Sequence, residues 1–181
     1  MLHTLKKISF QHSILSIERS GKFIYVLDSG YYLHIIQDGD FSLVRSFNIV
    51  KEYPLMHKYS NSTAISKNNN FFIPLVGAKK GVVISLEGSL KKKKVIDWHE
   101  GDIESASYSK NGKFFATGGQ DGKTYIFDTK DYNLITSLPP RPDYICDLTF
   151  SNKSDKLACS GFDKFLVIYD IAVNRITNVI K

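Results

Sequence analysis

Residues 103–128 read IESASYSKNGKFFATGGQDGKTYIFD. Three short apolar runs, at 105–108, 113–117 and 124–127, are separated by Asn111-Gly112 and Asp121-Gly122. Such dipeptides take the left-handed backbone of a tight hairpin turn at little cost, so the stretch predicts a meander of short antiparallel strands. Moved along the chain by 42 positions, it lands on a second copy. Tyr108 falls on Phe150, Ala116 on Ala158, Gly119 on Gly161, Asp121 on Asp163, Ile126 on Ile168 and Asp128 on Asp170, without a gap. One small meander has two apolar faces and cannot bury both alone, whereas copies stacked face to face can.

Two weaker copies lie upstream. Residues 14–37, ILSIERSGKFIYVLDSGYYLHIIQ, place Gly21-Lys22-Phe23 over Gly112-Lys113-Phe114 at an offset of 91. Residues 64–85, AISKNNNFFIPLVGAKKGVVIS, place Phe71-Phe72 over Phe114-Phe115 at an offset of 43. Each copy is followed by an outer strand, expected at 41–50, 91–94, 134–138 and 176–180. The fold class is therefore all-β, a β-propeller arrangement of four blade-like, four-stranded repeats at about 11–50, 60–97, 98–138 and 139–181 in a single domain spanning 1–181. Residues 5–10 read as an extra outer strand ahead of the first repeat. Because the fourth repeat already has its own outer strand, the chain is expected to be part of a larger propeller, with end repeats free to self-associate. Pro74, which cannot donate to a strand ladder, predicts a bulge or local unpairing in the second repeat. Residues 51–59 read as an irregular link, and SLPPRPDY at 137–144 as a stiff, extended connector.

The chain has 181 residues, 43% of them hydrophobic, enough for a sizeable core. No apolar run approaches the roughly 20 residues of a membrane-spanning helix, and residues 1–20 lack the apolar core of a secretory signal, so no membrane association and a cytoplasmic location are expected. Two isolated cysteines, Cys146 and Cys159, build no disulfide framework and fit a reducing compartment. Cys159 matches Thr117 and is expected to face the packed interior, slow to react. Lys plus Arg outnumbers Asp plus Glu by 24 to 18, a modest excess. Lys91, Lys92, Lys93 and Lys94 sit on an expected outer strand, where lysines keep an exposed edge from pairing with other chains. With no aromatic platform beside them, nucleic acid is disfavoured as a partner.

The third and fourth repeats resemble the blades of WD-repeat proteins, in which a Gly-His pair precedes the strands and a Trp-Asp pair ends them. The family's hydrogen-bonded set of His, Ser or Thr, Asp and Trp maps onto His99, Thr117, Asp121 and Phe127, with Trp98 in place of the Gly. Phe127 has no indole N–H, so one link of that set is missing. The fourth repeat holds Arg141, Cys159, Asp163 and Tyr169 at these positions, which implies an Arg141–Asp163 pair in place of His–Asp. The first two repeats offer Gly30 and Ala78 where the Asp belongs, and end in Ile36-Gln37 and Ile84-Ser85. They match the family only in strand pattern.

The resemblance implies a non-catalytic scaffold or accessory module that presents loops at one end of its blades to another protein. Arg141, Tyr144, Phe162, Asp143 and Lys164 are the candidate contact residues, with Arg141 and Tyr144 as anchors, since Arg and Tyr are enriched at binding hot spots. Enzymatic motifs are missing. Gly118–Thr124, GGQDGKT, resembles a phosphate-binding loop, but Thr117 stands where the first Gly is required and a strand rather than a helix follows. His3, His12, His34, His57 and His99 have no metal-site spacing to Cys, Asp or Glu, and no cofactor motif is present. Asp97, Glu100, Asp102 and Glu104 form a solvated rim. One alternative is a propeller enzyme or small-ligand binder using polar residues of the innermost strands, Ser105, Ser107, Asp147 and Thr149. A narrower one, from general similarity alone, is an accessory factor for a bacterial redox enzyme such as a nitrate reductase.

Overall fold

The computed structural model describes residues 7–49, 63–75, 79–88 and 90–181. Among these residues every regular element is a strand, and the sixteen strands form four antiparallel sheets of four, each a simple meander. The first sheet is β1 (Ile14–Ser20), β2 (Phe23–Asp28), β3 (Tyr32–Gln37) and β4 (Leu43–Asn48). The second is β5 (Ala64–Ile65), β6 (Asn70–Leu75), β7 (Lys80–Ser85) and β8 (Lys91–Ile96). The third is β9 (Ile103–Tyr108), β10 (Phe114–Gly119), β11 (Thr124–Asp128) and β12 (Leu134–Ser137). The fourth is β13 (Ile145–Phe150), β14 (Lys156–Gly161), β15 (Leu166–Asp170) and β16 (Arg175–Ile180). These are the blades expected from the repeat, and the lysine run lies on the outer strand β8.

Two features recur in all four sheets and show that the repeat is geometric as well as sequential. Twelve described residues have positive φ, and one sits in each of the twelve hairpin turns. Gly21, Asn69, Gly112 and Ser154 occupy the first turn of their blades. Tyr31, Lys79, Gly122 and Lys164 occupy the second, and Phe41, Gly88, Tyr132 and Asn174 the third. Only four of these are glycine, so at the other eight the chain tolerates a left-handed conformation that costs an ordinary side chain roughly 1–2 kcal/mol. The second feature is a bulge between the third and fourth strands. Register shifts there between Ile35 and Ile36, Val83 and Ile84, Ile126 and Phe127, and Ile168 and Tyr169. The unpaired outer-strand residue is Val44, Lys93, Ile135 or Thr177. Such a bulge sharpens the twist of the sheet, and it turns Val44 and Ile135 out to solvent.

By Cα packing the chain forms two compact units, residues 1–59 and 60–181. Within the second, sheets stack through apolar faces. Phe72 from β6 meets Phe115 from β10 with ring centroids 4.9 Å apart, and Phe115 also packs on Tyr108, Phe127 and Tyr132. Beyond β10, Ala116 and Ile126 join Ile145, Leu148, Leu157, Cys159 and Tyr169 in a core shared by the third and fourth sheets. Alternate residues of β10 therefore serve different neighbours, the period-two rule applied to a sheet buried on both faces. Phe115→Ala is expected to cost about 3–5 kcal/mol in chemical denaturation, because it empties the centre of an aromatic cluster.

Three expectations need correction or placement. The β6–β7 ladder runs through Pro74↔Gly81 without a register shift, so Pro74 makes no bulge. On its other side β5 pairs with Phe71 and Phe72, and the residues that would face Pro74 lie outside the described ones. Residues 7–10 form no strand; Leu5 and Lys6, with which the extra outer strand was to begin, lie outside the described residues. The 51–59 link and Ala78 also lie outside them.

Both cysteines are free thiols, Cys146 half-buried and Cys159 buried. Burial pushes the Cys159 thiol up to about 12, with a hydrogen bond to Thr124 acting weakly the other way. A thiol reagent is thus expected to label Cys146 in the native chain and Cys159 only on unfolding. Mass spectrometry of partially labelled protein reads this directly, and equal rates would contradict the register of β14.

Candidate interaction surface

The end of the third blade is held by a buried polar network. His99, in the loop after β8, is enclosed by Tyr125 packed edge-on at 4.8 Å. Its Nδ1 lies 3.0 Å from Asp121 Oδ1, and its Nε2 lies 2.9 Å from Thr117 Oγ1. A carboxylate has only acceptors, so Nδ1 carries the proton and donates, leaving Nε2 to accept from the Thr117 hydroxyl. Asp121 also accepts the backbone N–H of Glu100 at 2.8 Å and of Lys123 at 3.1 Å. One carboxylate thereby ties the loop before β9 to the turn after β10. The fit is tight: a Cβ on Gly119 would lie 2.5 Å from His99 Nδ1, so only glycine allows the ring this close to β10. Phe127, in the position of the family's Trp, is buried among Phe115 and Tyr125 and adds packing without a hydrogen bond.

Burial lowers the His99 pKa below 6.5, against the opposing pull of Asp121. Burial alone would raise the Asp121 carboxyl, but the hydrogen bonds from Glu100, His99 and Lys123 together hold it below its ordinary value. The pair is accordingly neutral imidazole with carboxylate.

In the fourth blade the Arg141–Asp163 pair inferred from the sequence is present. Arg141 Nε donates to Asp163 Oδ2 at 2.7 Å, and a second guanidinium nitrogen donates to Asp163 Oδ1 and, at 2.6 Å, to Phe165 O. The third nitrogen reaches Cys159 O at 3.0 Å, since a thiol replaces the hydroxyl that His99 finds in the third blade. With its side chain only 11% exposed, Arg141 offers little to a partner. Its geometry makes it a framework residue, in contrast to the anchor role expected from residue type. The guanidinium holds the Asp163 carboxyl below its ordinary range.

The loops at this end interlock. Gln120 N donates to Asp102 O, Arg141 N to Gly122 O and Phe162 N to Tyr144 O, all at 2.9–3.0 Å. Gly122, at φ +70°, leaves no room for a Cβ, which would meet Arg141 O at 2.1 Å. The 118–124 stretch is thus the β10–β11 turn against which the proline-rich connector docks. On this belt Tyr144 and Phe162 form an edge-to-face pair at 6.1 Å, 41% and 66% exposed. Asp143 is exposed and accepts the Tyr144 N–H, and Lys164 occupies the left-handed turn position beside them. Trp98, 48% exposed on the loop before β9, belongs to the same end; its exposure was not evident from the sequence, where it stands in place of the family's Gly.

The inner-strand polar residues do not converge. Ser105 is buried with its hydroxyl toward Ile145 O at 3.5 Å, Asp147 caps the adjacent Leu148 N–H, and Thr149 is exposed. Among the described residues no three His, Cys, Asp or Glu side chains are grouped to hold a metal ion, and no helix is long and apolar enough to cross a membrane.

Comparison with known proteins agrees with this architecture. The family model for the WD domain, G-beta repeat, matches residues 90–128, which run from the outer strand β8 through β9, β10 and β11, the first three strands of the third blade. The chain is 23% identical over 86 residues to a guanine nucleotide-binding protein subunit beta from Dictyostelium discoideum, covering 48% of this chain and 25% of that protein. It is 33% identical over 64 residues to the meiotic recombination protein rec14 from Schizosaccharomyces pombe, covering 35% of this chain and 21% of that protein. The matches thus span about a quarter and about a fifth of these relatives. The chain carries a WD-type repeat on an all-β, blade-forming fold.

Replacing His99 by Ala strands the Thr117 hydroxyl and removes one Asp121 donor, an expected loss of about 2–4 kcal/mol by chemical denaturation. Because the folded-state pKa of His99 is depressed, its contribution to stability is complete above 6.5 and declines as pH falls from there toward that depressed value. Asp121 adds a second loss on further acidification, as pH drops below 3.8 and through its own lowered pKa. In the His99→Ala chain the first, near-neutral part of the acid slope is expected to vanish while the second remains.

Proposed function

We propose that the chain is a non-catalytic, WD-type interaction module that presents the Tyr144–Phe162 pair, with Trp98 on the neighbouring loop, to another protein. What carries this reading is the exposure of two packed aromatic rings on loops that hydrogen bonds have already fixed. Aromatic side chains dominate protein hot spots, and a surface that needs little ordering on binding keeps more of its contact energy. Asp143 and Lys164 supply a charged rim around the pair. Arg141 acts from below, holding the connector in place through Asp163. One matched relative is by name a subunit of a larger protein, an assembly role compatible with this one. The two free thiols support a reducing, cytoplasmic setting. A second, weaker surface is β16, exposed along its whole length, at which self-association of end blades would occur.

The test is a pull-down from the native source with three baits. Tyr144→Ala combined with Phe162→Ala is expected to lose the wild-type partner by at least about tenfold with an unchanged unfolding midpoint. Arg141→Ala is expected to lower that midpoint as well. Equal partner recovery by the double variant and wild type would reject the surface.

A further inference from the structure

The first blade lacks the polar network of the third. At the matching positions it holds Ile8, Val26, Gly30 and Ile36, none of which can form it. A different polar chain runs across its strands instead. Asp28 ends β2, His34 lies on β3, and Ser46, the direct cross-strand partner of His34, lies on β4. His34 Nε2 is 3.1 Å from Asp28 Oδ2, and His34 Nδ1 is 2.8 Å from Ser46 Oγ. These residues correspond to Gly119, Tyr125 and Ser137 of the third blade, so the chain is not a displaced version of the other network.

The three residues line one side of a cavity of about 320 Å³ within residues 8–46. That volume is at the lower end of the range for small-ligand sites. Phe10, His12, Tyr32 and Leu43 form much of the remaining wall, with Ile8 and the polar side chains of Ser9 and Gln11 beside them. Phe10 packs on the His34 ring at 4.9 Å, and Tyr32 stacks between His34 at 6.1 Å and His12 at 6.4 Å.

The direction of the hydrogen bonds fixes what this pocket shows to a ligand. Asp28 is buried, and its Oδ1 accepts the N–H groups of Gly30 and Tyr32, each at 2.9 Å. Its Oδ2 can only accept, so His34 Nε2 carries a proton and donates to it. Nδ1 shares one hydrogen bond with Ser46 Oγ, which keeps a lone pair whichever of the two donates. Ser46 Oγ is left presenting that lone pair to the cavity. Among the described lining residues none is Lys or Arg, and Asp28 accepts from two backbone N–H groups and this imidazole. The site therefore combines an acceptor tip, one buried negative charge and aromatic walls. Aromatic faces and a buried carboxylate both favour a cation, and the lone pair at Ser46 Oγ can accept from its N–H groups.

We infer that this pocket binds a primary ammonium group carried on a small apolar body. The ammonium donates to Ser46 Oγ in the field of Asp28, while the apolar part lies against Phe10, Tyr32 and Leu43. A neutral ligand of the same shape can still donate to Ser46 Oγ but gains nothing from the field of Asp28, and an anionic one is repelled.

The experiment titrates the isotope-labelled full chain with benzylamine, benzyl alcohol and benzoate, followed by amide chemical shifts. Benzylamine is expected to give saturable shifts in residues 8–12 and 28–46, benzyl alcohol to bind about tenfold more weakly, and benzoate not to bind. Ser46→Ala, at an exposed site that does not threaten folding, is expected to weaken benzylamine about tenfold and benzyl alcohol by less. Asp28→Asn keeps an acceptor for Gly30 and Tyr32 but removes the charge, and should abolish the preference for the amine. Equal affinity for the three probes, shifts outside this blade, or an unaltered Ser46→Ala chain would overturn the inference. If Asp28→Asn lowers stability while the wild type fails to bind benzylamine, the three residues serve only to hold the blade, and the inference is also overturned.

Discussion

A four-stranded meander this small has two faces and no interior, so everything else in residues 60–181 depends on sheets pressing face against face. The contact between Phe72 and Phe115 shows the constraint most directly: each ring is buried only because the neighbouring blade supplies the other. Burying a phenylalanine contributes about 1.5–3 kcal/mol. No single blade has enough such residues to offset the entropy of ordering some forty residues. The polar networks at the blade ends are secondary to this. They do not drive stacking; they set where the loops lie once stacking has occurred, which is why they can vary from His99–Asp121 to Arg141–Asp163 while the sheets keep one geometry.

That variation follows a chemical logic. In the third blade a hydroxyl, an imidazole and a carboxylate form a continuous relay. When Thr117 is replaced by the poorer hydrogen-bonding Cys159, the imidazole would lose its second partner, and the longer, five-donor guanidinium of Arg141 reaches backbone carbonyls instead. Both solutions bring a charged group to the same turn and leave Tyr144 and Phe162 facing outward. A framework that consumes Arg141 thus holds its neighbours Tyr144 and Phe162 at the surface.

The blade architecture was legible because the apolar alternation recurs at a fixed spacing with aligned turn positions, and the His99, Thr117 and Asp121 network because the WD-repeat resemblance maps onto those positions. What the sequence concealed has physical causes. Eight left-handed turn positions carry ordinary residues, such as Tyr31 and Lys164, and nothing in their chemistry announces the conformation that packing imposes on them. Pro74 looked disruptive because it cannot donate to a ladder, yet its pairing with Gly81 runs on without a shift. Arg141 was judged by residue type, and type does not tell a buried clamp from an exposed anchor. The Asp28, His34 and Ser46 chain joins positions 6 and 12 residues apart that meet only through cross-strand register.

The uneven distribution of turn-forming residues also has a kinetic consequence. In the third blade the first two turns carry glycine at the left-handed position, so its hairpins can close before any neighbour is present. The fourth blade uses Ser154, Lys164 and Asn174 in all three turns, and the second relies on Asn69 and Lys79 in two of its three. Closing those hairpins alone means climbing into an unfavourable backbone region without a packed face to compensate. Turn chemistry alone therefore favours closure of the third blade's first two hairpins over those of the second and fourth blades.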